Sequence, residues 1–305
     1  MRRIDLTMEQ VLFKYYGLTN VSLKAMAGYI SLNYQIKSDQ GTYVLKIYEY
    51  TEKEHAEILA ETTLIQQVLH LDEQSISSPI QNNLGEVATI VSTSEGKKIY
   101  RLISFVEGTF LAEVTHTPTL FKSLGAFMAQ VDLSLLDFRS IGIESRRLEW
   151  DLQNIHLIRP LVGKIKDANQ RKLIEYFFIQ WDLNVSPKLS GLRQSIIHND
   201  GNDWNLLVHD DHVTGIIDFG DAVYTALINE IAITITYALF GKENPLEWSS
   251  HIIKGFHNVY PLQKDELDML YYLVAGRLMT TVCKSALEKT LQPDNDYLTI
   301  SEAPA

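Results

Sequence analysis

Two short runs hold the residues best suited to chemistry: Ile196-Ile197-His198-Asn199-Asp200-Gly201-Asn202-Asp203-Trp204-Asn205, then Ile216-Ile217-Asp218-Phe219-Gly220-Asp221. The first sets a carboxylate, Asp200, and an amide, Asn205, on one loop, and the second brings back another carboxylate, Asp218. Phosphoryl transfer asks for such a set. Its transition state is loose and highly charged, so positioning and charge neutralisation do most of the work. In that chemistry Asp218 would ligate Mg²⁺ on the β- and γ-phosphates, and Asn205 would complete the coordination with an uncharged oxygen. Asp200 would orient the acceptor hydroxyl and take its proton late, because a carboxylate with an ordinary pKa of about 4 cannot strip an alcohol in advance. His198, the other member of the catalytic run, is read as bracing the loop rather than as an acid or base. Asp-Phe-Gly alone is a common turn and His-x-Asp alone says little; their order and spacing carry the reading.

A hairpin is needed to bring the two runs together. The apolar stretches 206–208 and 213–217 flank a polar tip, His209-Asp210-Asp211-His212, and predict one. The tip could be drawn as a metal site, but no closed set of four ligands lies near it in sequence. Before this island, residues 1–105 read as short strands (21–27, 32–37, 42–48, 87–92, 97–105) around one helix over 52–70. Thr7 caps a short helix that ends at Gly17. After Val106-Glu107-Gly108 the pattern turns helical, with segments over 117–135, 169–183, 226–239, 245–259 and 263–289.

The chain has 305 residues, 46% hydrophobic and 21% charged, a globular composition long enough for two lobes. A net charge of −11 argues against a nucleic-acid partner, since phosphate-backbone binding needs clustered Lys and Arg, and suits a cationic small substrate. No apolar run reaches the roughly 20 residues of a membrane helix, so no membrane partner and a cytoplasmic location are expected. The lone cysteine, Cys283, sits in an apolar helical pattern and reads as a buried structural thiol.

The sequence resembles the aminoglycoside phosphotransferase and choline kinase superfamily and, within it, the hydroxylysine kinase branch. The cues are Tyr43-Val44-Leu45-Lys46-Ile47, RLISFVEG at 101–108, LEWDL at 148–152, IIHNDGNDWNLL at 196–207 and PDNDYLTISEAP at 293–304. The resemblance implies an α+β, protein-kinase-like two-lobed fold. A nucleotide-binding lobe over 1–105 has a small antiparallel sheet, and a catalytic and acceptor-binding lobe over 106–305 is mostly α-helical, with a hinge at 104–108. Lys46 would hold the α- and β-phosphates of ATP or GTP, fixed by a helix glutamate, Glu57 or preferably Glu61. Strand alternation agrees, turning Leu45 and Ile47 to the face opposite Lys46. Ser104 and Val106 would offer main-chain groups to the purine. The loop Ala27-Gly28-Tyr29-Ile30-Ser31-Leu32-Asn33 lacks the glycines of a protein-kinase phosphate loop, so a turn using Ser31 would replace them.

The acceptor is the open question. Asp203 and Trp204 lie in the catalytic run, and Asp221 and Glu230 could pair with a substrate ammonium, although pairing of Glu230 with Arg277 is an equal reading. The resemblance points to 5-hydroxylysine, with homoserine, choline or ethanolamine, and aminoglycosides as alternatives. It also admits a longer polypeptide with an aminotransferase-like portion. A silent nucleotide-binding module is the reading from another class, but such a module has no need of Lys46, Asp200, Asn205 and Asp218 together.

Overall fold

The structure, a computed structural model, describes residues 5–26, 28, 31–69, 75–291 and 305. Parts of the expected phosphate loop (27, 29, 30) and the 293–304 cue lie outside the described residues. The chain forms two compact units, Met1–Glu107 and Gly108–Ala305.

In the first unit, α1 (Met8–Tyr16) starts at a capping box between Thr7 and Gln10 and stops at Gly17, whose φ of 69° suits a residue without a Cβ. The strands β1 (Ser22–Met26), β2 (Leu32–Ser38) and β3 (Gly41–Glu49) lead to α2 (Glu52–Val68), then β4 (Thr89–Thr93) and β5 (Gly96–Ser104). They make one antiparallel sheet in the order β1-β2-β3-β5-β4. Alternation divides its faces. Leu45, Ile47 and Leu102 pack with Val11 and Leu12 of α1, while Ile99 packs with Ile58 of α2 on the other face. Lys46 and Arg101 are directly opposed across β3 and β5 and so share the α2 face.

The second unit adds β6 (Thr109–Phe110), α3 (Pro118–Leu135), α4 (Ile141–Glu144), α5 (Ala168–Asn184), β7 (Gln194–Ile197), β8 (Leu206–His209), β9 (His212–Ile216), β10 (Val223–Ala226), α6 (Ile228–Ala238), α7 (Pro245–Val259) and α8 (Lys264–Leu291). Strands β6, β8 and β9 form one antiparallel sheet and β7 pairs with β10. The predicted hairpin is β8–β9. The β7–β10 pair was not foreseen, because the 223–226 stretch merges in sequence with the helix behind it. Helices α3 and α7 cross with almost no side chain between them: a Cβ on Gly125 would fall 1.9 Å from the Ile252 carbonyl, and one on Gly255 2.0 Å from that of Lys122. Helix α6 is buried along its whole length, which its apolar, small-residue sequence permits. The Cys283 thiol is fully buried and pushed up to about 12 by that burial. Among the described residues no helix is long and apolar enough to cross a membrane.

Candidate active site

Strand β7 delivers the chain into the loop at 198–205. His198 is 0% exposed, its Nδ1 accepts the Asp200 amide at 3.2 Å, and its Nε2 lies 3.0 Å from the Ile217 carbonyl. One ring nitrogen accepts and the other donates, which defines a neutral imidazole. The ring also meets Phe219 edge-on at 4.6 Å. His198 therefore ties the loop to the second run and is not placed as an acid or base. Asn199, with φ of 67°, turns its amide N–H onto Glu230 Oε2 at 3.1 Å and its side-chain NH₂ onto the Asp221 carbonyl at 3.1 Å.

The Asp200 carboxylate is held at both oxygens. Oδ1 receives Arg277 Nη2 at 3.0 Å, and Oδ2 receives Asn202 at 3.0 Å and Asn205 at 2.7 Å. Burial pushes its pKa up to about 7, with Asp221 adding to the rise and Arg277 opposing it, although 22% of the side chain still meets solvent. A carboxylate with its pKa raised this way could accept an alcohol proton near neutrality. The Asn205 NH₂ is taken up by Asp200 and its main-chain carbonyl by the Ile217 amide at 2.9 Å, leaving Oδ1 as the atom able to ligate a cation. Asp218 follows Ile217, is exposed, and has φ of 66°. That is strained backbone for a non-glycine residue, and such strain is found where function requires it.

These residues fit a divalent cation. Asp221 and Asp218 both act on the charge of Asp200, and Arg277 is the cation opposing them there. Among the described residues no group of three or more His, Cys, Asp or Glu forms a metal cage. Mg²⁺ needs none, since it is held by one or two protein oxygens together with substrate phosphates and water.

The acceptor residues divide. Asp203 has its carboxyl raised to about 6 by burial and its carbonyl bound to the Ala112 amide at 3.0 Å. Trp204 is 37% exposed and packs on Phe110 with ring centroids 5.6 Å apart. Asp221 is half-buried and in electrostatic contact with Asp200 and Arg277. Glu230 is 0% exposed, so it cannot meet a substrate ammonium. Its carboxylate grips the loop backbone, and the guanidinium of Arg277 binds Asp200, Trp150 and Tyr237 instead. Asp151 is buried and accepts from Thr225 and Gln153, a structural role. At the hairpin tip Asp211 accepts from Thr117, the N-cap of α3.

In the first unit Lys46 lies on β3, and Glu61, 8% exposed, faces the same side from α2. Glu61 Oε1 binds Arg101 Nη1 at 2.8 Å, an ion pair that adds a second cation to the expected lysine–glutamate arrangement. Glu57 pairs with Lys53 at 3.5 Å on the surface. Ser31 donates to Asn33 at 2.7 Å, and Gly28 lies so close to the Ser31 carbonyl that a Cβ would sit 2.3 Å away. The Ser104 amide is already bound to Ser78 at 2.8 Å, and its carbonyl accepts Ser77 Oγ at 3.0 Å. Val106 is buried, at 9% exposure.

Residues 23–265 match the phosphotransferase enzyme family. The chain belongs to that family. This phosphotransferase is a small-molecule kinase whose relatives act on hydroxyl groups. It is 28% identical to hydroxylysine kinase of Xenopus laevis over 96% of this chain and 85% of that protein. It is 26% identical to homoserine kinase of Methylobacillus flagellatus over 79% and 71%. Among solved structures, a microcompartment-associated aminopropanol kinase has the same fold, with a TM-score of 0.78, 17% identity, and 98% and 95% of the two chains covered. The phosphotransferase has the α+β, protein-kinase-like fold that its sequence resemblance implied.

Arg101 and Asn199 escaped the sequence reading, and Arg277 was weighed only as a partner of Glu230. A signal existed for the arginines: each is a lone cation in an apolar run, and a charge on a buried face requires a partner.

Proposed function

We propose that this phosphotransferase carries the γ-phosphate of ATP or GTP, as the Mg²⁺ complex, to the hydroxyl of a small amino-bearing metabolite, with 5-hydroxylysine the leading acceptor. The observation that carries the reading is the held Asp200 carboxylate, raised toward neutrality and linked to Asn205 and, through Ile217, to Asp218. Asp200 orients the acceptor hydroxyl and receives its proton; Asn205 and Asp218 hold the cation. Mg²⁺ supplies neutralisation of charge on the phosphate oxygens. In the unit Met1–Glu107, the nucleotide-binding part, Lys46 contacts the α- and β-phosphates, Glu61 fixes it, Ser31 caps the phosphate turn, and Ser104 and Val106 offer main-chain groups to the base. Asp203, Trp204 and Asp221 of the second unit are the acceptor-side residues, acidic enough to favour an ammonium-bearing molecule. Likeness to hydroxylysine kinases over nearly the whole chain supports the acceptor, and likeness to homoserine kinases supports homoserine as the alternative.

The test is phosphate transfer from ATP and from GTP, with Mg²⁺, to 5-hydroxylysine, homoserine, choline, ethanolamine and an aminoglycoside. The largest kcat/KM is expected for 5-hydroxylysine. Turnover of homoserine with none of 5-hydroxylysine would replace the acceptor, and transfer to no hydroxyl compound would remove the reading.

A further inference from the structure

Two acids behind the catalytic loop have no role in the chemistry above. Asp132 on α3 and Glu230 on α6 are each 0% exposed. Both carboxylate oxygens of Asp132, and Oε1 of Glu230, are buried without a hydrogen-bond partner. Their helix faces meet beneath the loop. Met128 Cε, Thr234 Oγ1 and Glu230 Oε1 lie 3.1, 2.6 and 3.3 Å from the Cβ position that Gly201 leaves empty. Met128 is one turn before Asp132 on the same face of α3, and Thr234 is one turn after Glu230 on α6.

The surrounding charges do not supply the missing donors. Glu230 raises the pKa of Asp132, which desolvation already raises, and Arg193 opposes it from the segment before β7. Arg193 is itself bound to both oxygens of Glu266, at 2.8 and 2.6 Å. Arg277 acts on Glu230 from α8 with its nitrogens given to Asp200, Trp150 and Tyr237. Helix α7 meets α3 through main chain at Gly125 and Gly255 and exerts no charge on Asp132. Two fully buried carboxylates that act on each other's charge cannot both stay ionised under these conditions, because each lacks solvation and each repels the other. One proton removes both penalties. Glu230 Oε2 accepts the main-chain N–H of Asn199, and the His198 main chain also favours its anion, whereas Asp132 accepts none.

We propose that Asp132 is a carboxylic acid whose O–H donates to Glu230 Oε1, a positioning residue that fixes Glu230 and, through the Asn199 amide, the loop presenting Asp200. Gly201 leaves room for Glu230 Oε1 beneath the loop. Only the effect on turnover rests on the proposed role of Asp200; the hydrogen bond stands apart from it.

The experiment compares wild type, Asp132→Asn and Asp132→Leu. In Asp132→Asn the side-chain NH₂ replaces the O–H donor without a carboxyl proton. The infrared difference spectrum of wild type minus Asp132→Asn at neutral pH is expected to show a positive protonated-carboxyl C=O band, the contributions of Asp200 and Asp203 being common to both proteins and cancelling. Amide hydrogen exchange at Asn199 is expected to match wild type in Asp132→Asn and to quicken about tenfold in Asp132→Leu, as for loss of one buried hydrogen bond. With 5-hydroxylysine and Mg-nucleotide, kcat should stay within about threefold in Asp132→Asn and drop about 10- to 100-fold in Asp132→Leu, at unchanged nucleotide KM. Absence of that difference band overturns the proposal, as does an Asn199 amide in Asp132→Leu that exchanges at the wild-type rate. Should Asp132→Leu fail to fold, the infrared result on the conservative variant decides. Should no acceptor turn over, the proposed function fails while the infrared and exchange results still decide this hydrogen bond.

Discussion

Replacing Arg277 by Met should cost the protein both stability and turnover, and the two losses can be separated through Asp200. The guanidinium is 1% exposed and bonds Asp200 Oδ1 at 3.0 Å, the Trp150 carbonyl at 2.8 Å and the Tyr237 hydroxyl at 3.1 Å. Methionine fills most of the volume and offers no donor. Opposite charges about 4 Å apart at an effective dielectric of about 20 interact by on the order of 4 kcal/mol, an upper bound on what Asp200 loses. Removing one partner of a buried pair usually costs about 3–5 kcal/mol. Urea unfolding at neutral pH should register a loss in that range, with kcat down about 10- to 100-fold and nucleotide KM little changed. The pH dependence has a fixed sign. Burial already raises Asp200 to about 7, and loss of Arg277 removes a lowering influence, so the folded-state pKa rises further. A carboxyl raised in the folded state contributes stability at low pH that is lost as pH climbs through the folded value. The variant's deficit should therefore shrink as pH falls from about 8 to about 5.5, where Asp200 becomes neutral. In an Asp200→Asn background there is no carboxylate to strand, and Arg277→Met should cost clearly less. An equal cost in both backgrounds would refute the counter-ion role and leave Arg277 as a tether between Trp150 and Tyr237.

Asp200→Ala should abolish phosphate transfer while nucleotide affinity, measured by calorimetry, stays close to wild type; wild-type turnover would remove Asp200 as the base. Arg101→Met removes from Glu61 an ion-pair partner in a site where the pair is 1% and 10% exposed, so thermal unfolding should report a loss of up to about 3–5 kcal/mol and nucleotide KM should rise. An unchanged KM would separate Arg101 from the nucleotide site. Gly125→Ala places a methyl 1.9 Å from a main-chain carbonyl of α7 that no rotamer can move, so a loss of about 3 kcal/mol or failure to fold is expected. A melting temperature equal to wild type would mean that the two helices part without cost.

Much of the site was legible because it is local. Asp200 and Asn205 sit on one loop, and the hairpin that returns Asp218 is written in two apolar runs around a polar tip, confirmed as β8–β9. Strand alternation likewise put Lys46 on the face away from Leu45 and Ile47. The errors arose where partners come from distant elements. Glu230 looked like a substrate ligand, being a carboxylate soon after the second run, but α6 is buried on every side and its acid turns to the loop backbone. The ion pair of Glu61 with Arg101 was likewise not read, because it depends on the β3–β5 register.

The sequence by itself determined the chemistry and the elements that carry it: spacing within a loop, capping residues and apolar periodicity act over a few residues and need no knowledge of the rest of the chain. Tertiary structure alone decided which charges meet. Arg277 lies 77 residues from Asp200 and Glu230 lies 31 from Asn199. Desolvation turned those meetings into properties no motif encodes, the Asp200 carboxyl raised toward neutrality and the buried oxygens of Asp132 without a hydrogen-bond partner, because the dielectric around a group is set by everything packed against it.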